Sequence, residues 1–245
     1  MIEYIIPNWC VPSQVRSYTT TRQGGCSQSP YTSFNLADHV GDDPNAVIAN
    51  RATLKQTLQL PTEPIWLTQV HGIETVSAMA DCRGCTADAS YTRQPNQVCV
   101  VLTADCLPVL FCDREGTQVA AAHAGWRGLA AGILETTVQR FSVSPPDILV
   151  WLGPAISVQA FEVGEEVREV FIKNSAQAVS AFKFQRTGHW LADLYLLAKQ
   201  RLHDCGVIEI YGGDFCTYTD ATRFFSYRRD KVTGRIASLI WLKDM

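Results

Sequence analysis

A chain of 245 residues, 47% hydrophobic, can bury one large core, and a single domain spanning 1–245 is expected. Twenty-one lysines and arginines against 24 aspartates and glutamates leave it slightly acidic, which excludes the basic face that broad nucleic-acid binding needs. The opening Met1-Ile-Glu-Tyr-Ile-Ile-Pro7 lacks the layout of an export signal, and no apolar run approaches the ~18 residues of a membrane span, so a soluble, cytoplasmic protein with no membrane partner is expected.

In chain order, apolar runs alternate with helical patterns. Residues 15–20 read as a strand. Asp43 caps a helix whose first position is Pro44 and whose apolar face carries Val47, Ile48, Arg51, Leu54 and Leu58. Strands follow at 65–70, 98–103 and 118–122. A helix beginning near Trp126 sets Leu129, Ile133, Leu134 and Val138 on one face. Residues 148–152 form the next strand, before a helix from about Gly164 to Lys173. Another helix runs over 191–204 and stops at Cys205-Gly206, where glycine supplies the left-handed turn that ends helices. Strands at 208–211 and 236–242 complete the pattern. Several of these strands are apolar on both faces and therefore buried. Strands outnumber helices without strict alternation, which predicts an α+β (α/β-like) fold with a mixed β-sheet core covered by helices.

The chemistry concentrates in three segments. Thr103-Ala-Asp-Cys-Leu-Pro-Val-Leu-Phe-Cys112 and Val119-Ala-Ala-Ala-His-Ala-Gly-Trp-Arg-Gly128 bring Cys106 and His123 to the ends of neighbouring apolar strands. Leu67-Thr-Gln-Val-His-Gly72 adds His71 just after another apolar run. Two imidazoles and one thiolate suit zinc and leave its fourth position open, the arrangement of a catalytic site. The spacing itself matches no compact ligand pattern, and buried structural His and Cys are common, so spacing alone leaves a metal site and a purely structural role both open. Nine cysteines in such a chain read as reduced thiols, and the odd count leaves at least one unpaired. Cys82-Arg-Gly-Cys85 has no second pair and is expected in a solvent-facing loop without a chemical role.

Polar residues around these segments are candidates for the pocket. His123-Ala-Gly-Trp-Arg-Gly128 is a strand, a glycine turn and a helix start, which offers free N–H groups and the positive helix end to an anion. Arg127 adds a fork of donors there, unless it points to solvent, and the glycines equally suit tight packing. Asn35, Arg51, Gln69 and Arg228 are the other candidate substrate contacts, with Arg51 favoured over Arg229 for phosphate. Asp105 either orients a histidine or loop, or caps the turn before Pro108. His39 reads as structural or at the pocket rim; His189 and His203 read as surface residues.

The three segments, together with Trp151-Leu-Gly-Pro-Ala-Ile156, Phe161-Glu-Val-Gly164 and Phe225-Ser-Tyr-Arg-Arg-Asp230, closely resemble a bacterial family. It is named variously laccase-domain protein, polyphenol oxidase or multicopper polyphenol oxidoreductase, purine nucleoside phosphorylase and peptidoglycan editing factor. The resemblance runs nearly end to end and includes Thr20-Thr-Arg-Gln-Gly-Gly25, Pro30-Tyr-Thr-Ser-Phe-Asn-Leu36 and His39-Val-Gly-Asp-Asp43. It implies that His71, Cys106 and His123 bind one metal ion, usually zinc, with copper able to take the same position. It also implies a transferase that uses phosphate to cleave adenosine, inosine and methylthioadenosine, with adenosine deamination as a hydrolase activity. Two other readings accompany it: copper-dependent phenol oxidation, and hydrolytic removal of a wrong serine from a muramyl peptidoglycan precursor, by zinc or by a Cys106–His123 nucleophile and base. A multicopper cluster needs many imidazoles, and the chain has five histidines with no His-x-His pair.

Overall fold

The computed structural model describes residues 2–244. Strand β1 (Tyr4–Ile5) pairs antiparallel with β2 (Val15–Thr20). Helix α1 (Pro44–Thr57) starts as its cap residues dictate: the Asp43 side chain accepts from the Asn45 N–H, and Pro44 occupies a position whose N–H would be unpaired anyway. It buries Val47, Asn50 and Leu54. Ile48, expected on that face, is 65% exposed, because each residue turns by roughly 100° around the axis.

The run over 65–70 does not form a strand; it makes only the isolated bridges Ile65 to Cys99 and Thr68 to Thr86. The Gln69 side chain takes over the pairing, its amide donating to the Leu102 carbonyl at 2.9 Å and accepting from the Leu102 N–H at 2.7 Å. Next come β3 (Thr75–Ser77), β4 (Ala89–Thr92), β5 (Cys99–Thr103), β6 (Leu107–Asp113) and β7 (Val119–Ala124). The sequence pattern misses β6 as a strand of its own, because proline normally argues against a central strand. Pro108 is tolerated near its start, opposite His123, where its carbonyl still accepts from the Gly153 N–H.

The single helix expected from Trp126 is two, α2 (Trp126–Ala131) and α3 (Ile133–Val138), broken where Gly132 takes a φ of +112°. Strands β8 (Ile148–Leu152) and β9 (Glu162–Gly164) precede α4 (Glu165–Asn174). Residues expected to begin the following helix instead complete a hairpin, β10 (Phe182–Arg186) with β11 (His189–Ala192). Asp193 sets the later start of α5 (Leu194–Asp204) by accepting from the Leu196 N–H. Gly206 stops it at a φ of +88°. Strand β12 (Glu209–Gly212), the short α6 (Tyr227–Asp230) and β13 (Ile236–Leu242) follow. No described helix is long and apolar enough to cross a membrane.

Three sheets result, ordered β1-β2-β13-β5, β10-β11-β9 and β12-β8-β6-β7-β4-β3. The six-stranded sheet is mixed, parallel at β12/β8 and β3/β4 and antiparallel between β8, β6, β7 and β4. The core is therefore layered more deeply than one helix-covered sheet. Because side chains alternate across a strand, Val109, Phe111, Ala122 and Val150 face α2 to α5, with Leu134, Val167 and Leu197. Leu110, Cys112, Ala121 and Trp151 face the four-stranded sheet, against Val101, Ile240 and Leu242. The far side of that sheet carries Val100, Leu239 and Trp241 against Leu54 of α1 and Leu58 just after it. Each large side chain buried this way contributes roughly 1.5–3 kcal/mol.

On the face of β7 that lies between the two sheets, the small Ala121 is fully buried opposite Leu110 and Ser90. Ala121→Leu should therefore force the sheets apart and cost about 1–3 kcal/mol. Urea denaturation measures this, and an unchanged midpoint would contradict the close packing of the two sheets.

Candidate functional site

The three chemistry-bearing segments meet at one end of the six-stranded sheet. Cys106 lies in the turn between β5 and β6, and the register of β6 on β7 pairs Leu107 with Ala124 and Pro108 with His123, which sets the thiol beside the imidazole. His71 arrives from the irregular loop before β3. One ligand atom from each of His71, Cys106 and His123 lies within 4.8 Å of the other two. Cys106 Sγ is 3.6 Å from His71 Nε2, and the two imidazole rings stand edge to face with centroids 4.7 Å apart. His71 is exposed, Cys106 partly so and His123 buried, so the cluster opens to solvent on one side only.

Asp88, which sequence reasoning missed, organises this cluster. Its buried carboxylate accepts from His123 Nδ1 at 2.8 Å and from the backbone N–H groups of His71 at 2.9 Å, Gly72 at 2.7 Å and Val70 at 3.2 Å. Its own carbonyl accepts from the His123 N–H. Two consequences follow. With Nδ1 engaged, His123 turns Nε2 toward the cluster, and His71 is held at a φ of +61°, a left-handed conformation that a non-glycine residue adopts only when its surroundings enforce it. The only signal in the sequence was an acid between alanines, Ala87-Asp88-Ala89, at the mouth of a strand.

Electrostatics bind the three residues further. Burial would raise the Cys106 thiol, but the positive charge and hydrogen bond of His123, with His71 beside it, bring it down to about 6. Burial would lower His123, but the Cys106 thiolate and the hydrogen bond to Asp88 push it up to about 9. For Asp88, burial works against ionisation, and hydrogen bonds from His123 and Gly72 outweigh it, holding the carboxyl below its ordinary value.

The donor set fits a zinc ion. Bonds of about 2.0–2.3 Å from one ion place tetrahedral donors roughly 3.3–3.8 Å apart, a spacing that the Cys106–His71 pair already has. Gly125 keeps the cradle clear: a Cβ there would stand 2.6 Å from His71 Cδ2 and 3.0 Å from Cys106 Sγ. Gly128 serves similarly, since a Cβ would meet the Gly72 carbonyl at 2.8 Å. These glycines thus seat the His71 loop against α2, the packing role that the sequence left open. At six residues, α2 is too short for a strong dipole at its start.

The structure places the remaining candidates variously. Asn35 is fully buried and spends its amide on Ala37, Asp42 and Arg235, leaving nothing for a substrate. Gln69 is likewise committed to Leu102 through both amide atoms. The guanidinium of Arg51 lies over Trp66, donates to the Leu36 carbonyl and pairs with Asp38; these contacts brace the 36–38 segment and do not reach the helix start where phosphate was expected. Arg127 is exposed and stacks on its neighbour Trp126. Arg228 is half-buried, its side chain donating to the Glu162 carbonyl and its backbone N–H to Asp105. Asp105 orients loops rather than a histidine, since its other oxygen accepts from the Thr217 hydroxyl. His39 is exposed beside Asp38 and His189 lies near Glu162, while His203 on α5 is exposed and contacts the Val207 carbonyl. Cys82 and Cys85 are half-buried against the inter-sheet core instead of facing solvent, and all nine cysteines are free thiols.

Two measurements check this geometry. Asp88→Asn exchanges two acceptor oxygens for one acceptor and a donor that faces other donors, and should weaken zinc binding by roughly 10–100-fold in chelator competition; wild-type affinity would remove Asp88 from its positioning role. In metal-free protein the ultraviolet thiolate absorbance of Cys106 should persist as pH falls from neutrality and disappear only near pH 6, well below the ordinary thiol value of 9.0. Loss of that absorbance already near pH 9 would contradict the thiolate–imidazolium pair.

The chain is similar to known proteins over nearly its whole length. A family model described as multi-copper polyphenol oxidoreductase laccase matches residues 16–243. A purine nucleoside phosphorylase of Escherichia coli is 54% identical over 99% of this chain and 100% of its own. One from Pseudomonas aeruginosa is 53% identical over the whole of both chains. A crystal structure of a Neisseria meningitidis protein superposes with a TM-score of 0.95 at 48% identity, covering 98% of this chain and 99% of that one.

Proposed function

The chain belongs to the multi-copper polyphenol oxidoreductase laccase family, and we propose that within it this protein is a zinc-dependent purine nucleoside phosphorylase acting on adenosine, inosine and methylthioadenosine. The observation that carries the reading is the cluster itself: two imidazoles and a thiolate drawn together by Asp88, with clearance kept by Gly125, in a chain whose relatives are named purine nucleoside phosphorylase. When bound, zinc in this donor set keeps net positive charge and polarises an oxygen or acidifies a bound water.

The protein's own residues have definable tasks. His71, Cys106 and His123 hold the ion, and Asp88 keeps the proton on His123 Nδ1 so that Nε2 remains a donor of electrons. In phosphorolysis, a phosphate oxygen attacks the anomeric carbon while the purine leaves. The enzyme must hold the phosphate and take up charge from the departing base, which is work for fixed cations and hydrogen-bond donors. Among the described residues one group of three or more metal-ligating side chains comes together. That is enough for one zinc or one copper ion and too little for a multicopper cluster, so phenol oxidation is expected only after copper loading. The Cys106–His123 pair also supports a second reading, a metal-free Cys–His hydrolase of amide substrates such as a peptidoglycan precursor.

Product analysis of purified, zinc-loaded protein separates these readings. Phosphate-dependent release of free purine from inosine or adenosine is the expected outcome, and ammonia release from adenosine would register deamination in the same assay. Cys106→Ser should lose most of its metal and nearly all turnover. Full zinc occupancy in that variant would remove Cys106 from the ligand set, and turnover that survives chelation would overturn the zinc reading in favour of the metal-free hydrolase.

A further inference from the structure

The turn that carries Cys106 is bordered by one arginine that sequence reasoning did not single out. In β13, Ile236 pairs antiparallel with Thr103; continuing that register by one residue sets Arg235 beside Ala104, with Asp105 and Cys106 next along the turn. Its backbone is clamped: the Arg235 N–H donates to Asn35 Oδ1 at 2.9 Å, and its carbonyl accepts from the Leu36 N–H at 3.3 Å. The preceding Gly234 has no room for a Cβ, which would stand 2.7 Å from Phe225 and 2.8 Å from Asn35. The full burial of Asn35, unexplained by a substrate contact, is accounted for by this clamp.

The Arg235 guanidinium is held at one end of its fork and open at the other. Nη1 donates to the Thr233 and Gly234 carbonyls, both at 2.9 Å. Among the described residues no carboxylate pairs with it, whereas Arg51, Arg114, Arg168, Arg186, Arg201, Arg223 and Arg229 each have one. Among the described residues its Nε–H and Nη2 donors have no acceptor, and the residue is only partly exposed. Burial lowers the Arg235 guanidinium below its ordinary value, and the negative charges of Cys106 and Asp105 act the other way. The Asp105 carboxylate is already occupied by Thr217 and by the Arg228 N–H. Once Cys106 gives its charge to a metal, this half-buried guanidinium has no partner, a costly arrangement unless a ligand supplies one.

We propose that Arg235 holds the tetrahedral oxyanion of the second substrate, a phosphate, beside Cys106 and at the open side of the cluster. A planar fork with two unused donor positions matches two oxygens of a phosphate. Arg51 and Arg228 are turned to other partners, and Arg127 is exposed and stacked on Trp126. The role assigned to that phosphate rests on the phosphorylase reading; its binding does not.

Calorimetric titration of inorganic phosphate into the zinc-loaded protein tests the assignment without turnover. Arg235→Gln keeps a donor for the Thr233 and Gly234 carbonyls while removing the charge, and should weaken phosphate binding by about tenfold or more, with zinc content and melting temperature held. Arg235→Lys restores charge without the fork and should recover part of the affinity, which also serves if the glutamine variant does not fold. In kinetics, KM for phosphate should rise while KM for the nucleoside stays. Wild-type phosphate affinity in Arg235→Gln, no phosphate binding by the wild type, or an equal loss of both substrates would overturn the proposal. Phosphate-independent turnover, with phosphate affinity still lost in Arg235→Gln, would remove the phosphorylase reading and leave the anion site standing.

Discussion

The buried carboxylate of Asp88 is the constraint on which the site depends. One side chain with no exposed surface collects an imidazole N–H and three backbone N–H groups from a loop that has no regular structure of its own. An ionised carboxylate out of water is tolerable only when its lone pairs are filled, and here the donors that fill them are the ligand residues and their loop. The same interaction therefore stabilises the charge, sets the histidine tautomer and holds His71 in a left-handed backbone conformation. Because Asp88 immediately precedes β4, which pairs with β7, the loop is referenced directly to the strand that carries His123.

Small residues make that geometry attainable. Strand β7 reads Val119-Ala-Ala-Ala-His-Ala124 and is buried along its length, so two sheets and a helical layer approach it closely. At its end, Gly125 and Gly128 admit His71, Cys106 and the Gly72 carbonyl within distances that a Cβ would forbid. Around this tight centre lies a ring of loops tied by long-range polar contacts, Gln69 to Leu102, Asp105 to Thr217 and Asn35 to Arg235. These amides and carboxylates look like substrate contacts in a sequence, yet in the structure their hydrogen-bonding capacity goes to other parts of the chain. Precision in a site comes from such support as much as from the groups that touch ligand.

The family description and the names of the relatives point to different chemistries, oxidation by several coppers and cleavage of nucleosides. A cluster of two imidazoles and one thiolate offers ligands for one metal ion, fewer than the several coppers of the family description would need. What distinguishes the reactions then lies in the cationic and polar groups around the opening, where the arginines differ chiefly in whether a carboxylate already claims them.

The strands at 15–20 and 148–152, the Asp43–Pro44 helix start and the Gly206 stop were legible because each depends on local backbone preferences and on apolar runs a few residues long. The meeting of His71, Cys106 and His123 was legible too, through the wording of their segments rather than their spacing. Proline concealed β6, an apolar run at 65–70 proved to be a loop paired through a side chain, and Gly132 divided a helix whose periodicity was continuous. Asp88 was marked only by its flanking alanines, and the commitment of Asn35, Gln69 and Arg51 to other partners and the open donors of Arg235 were not legible at all. Those features are set by which partners lie across the fold, 17 residues away for His71 and Asp88 and 200 for Asn35 and Arg235. The sequence by itself determined most of the elements and the residue types of the His–Cys–His cluster; only the tertiary structure decided which polar groups are satisfied by protein and which are left for a ligand, because hydrogen bonding is a matter of distance in space.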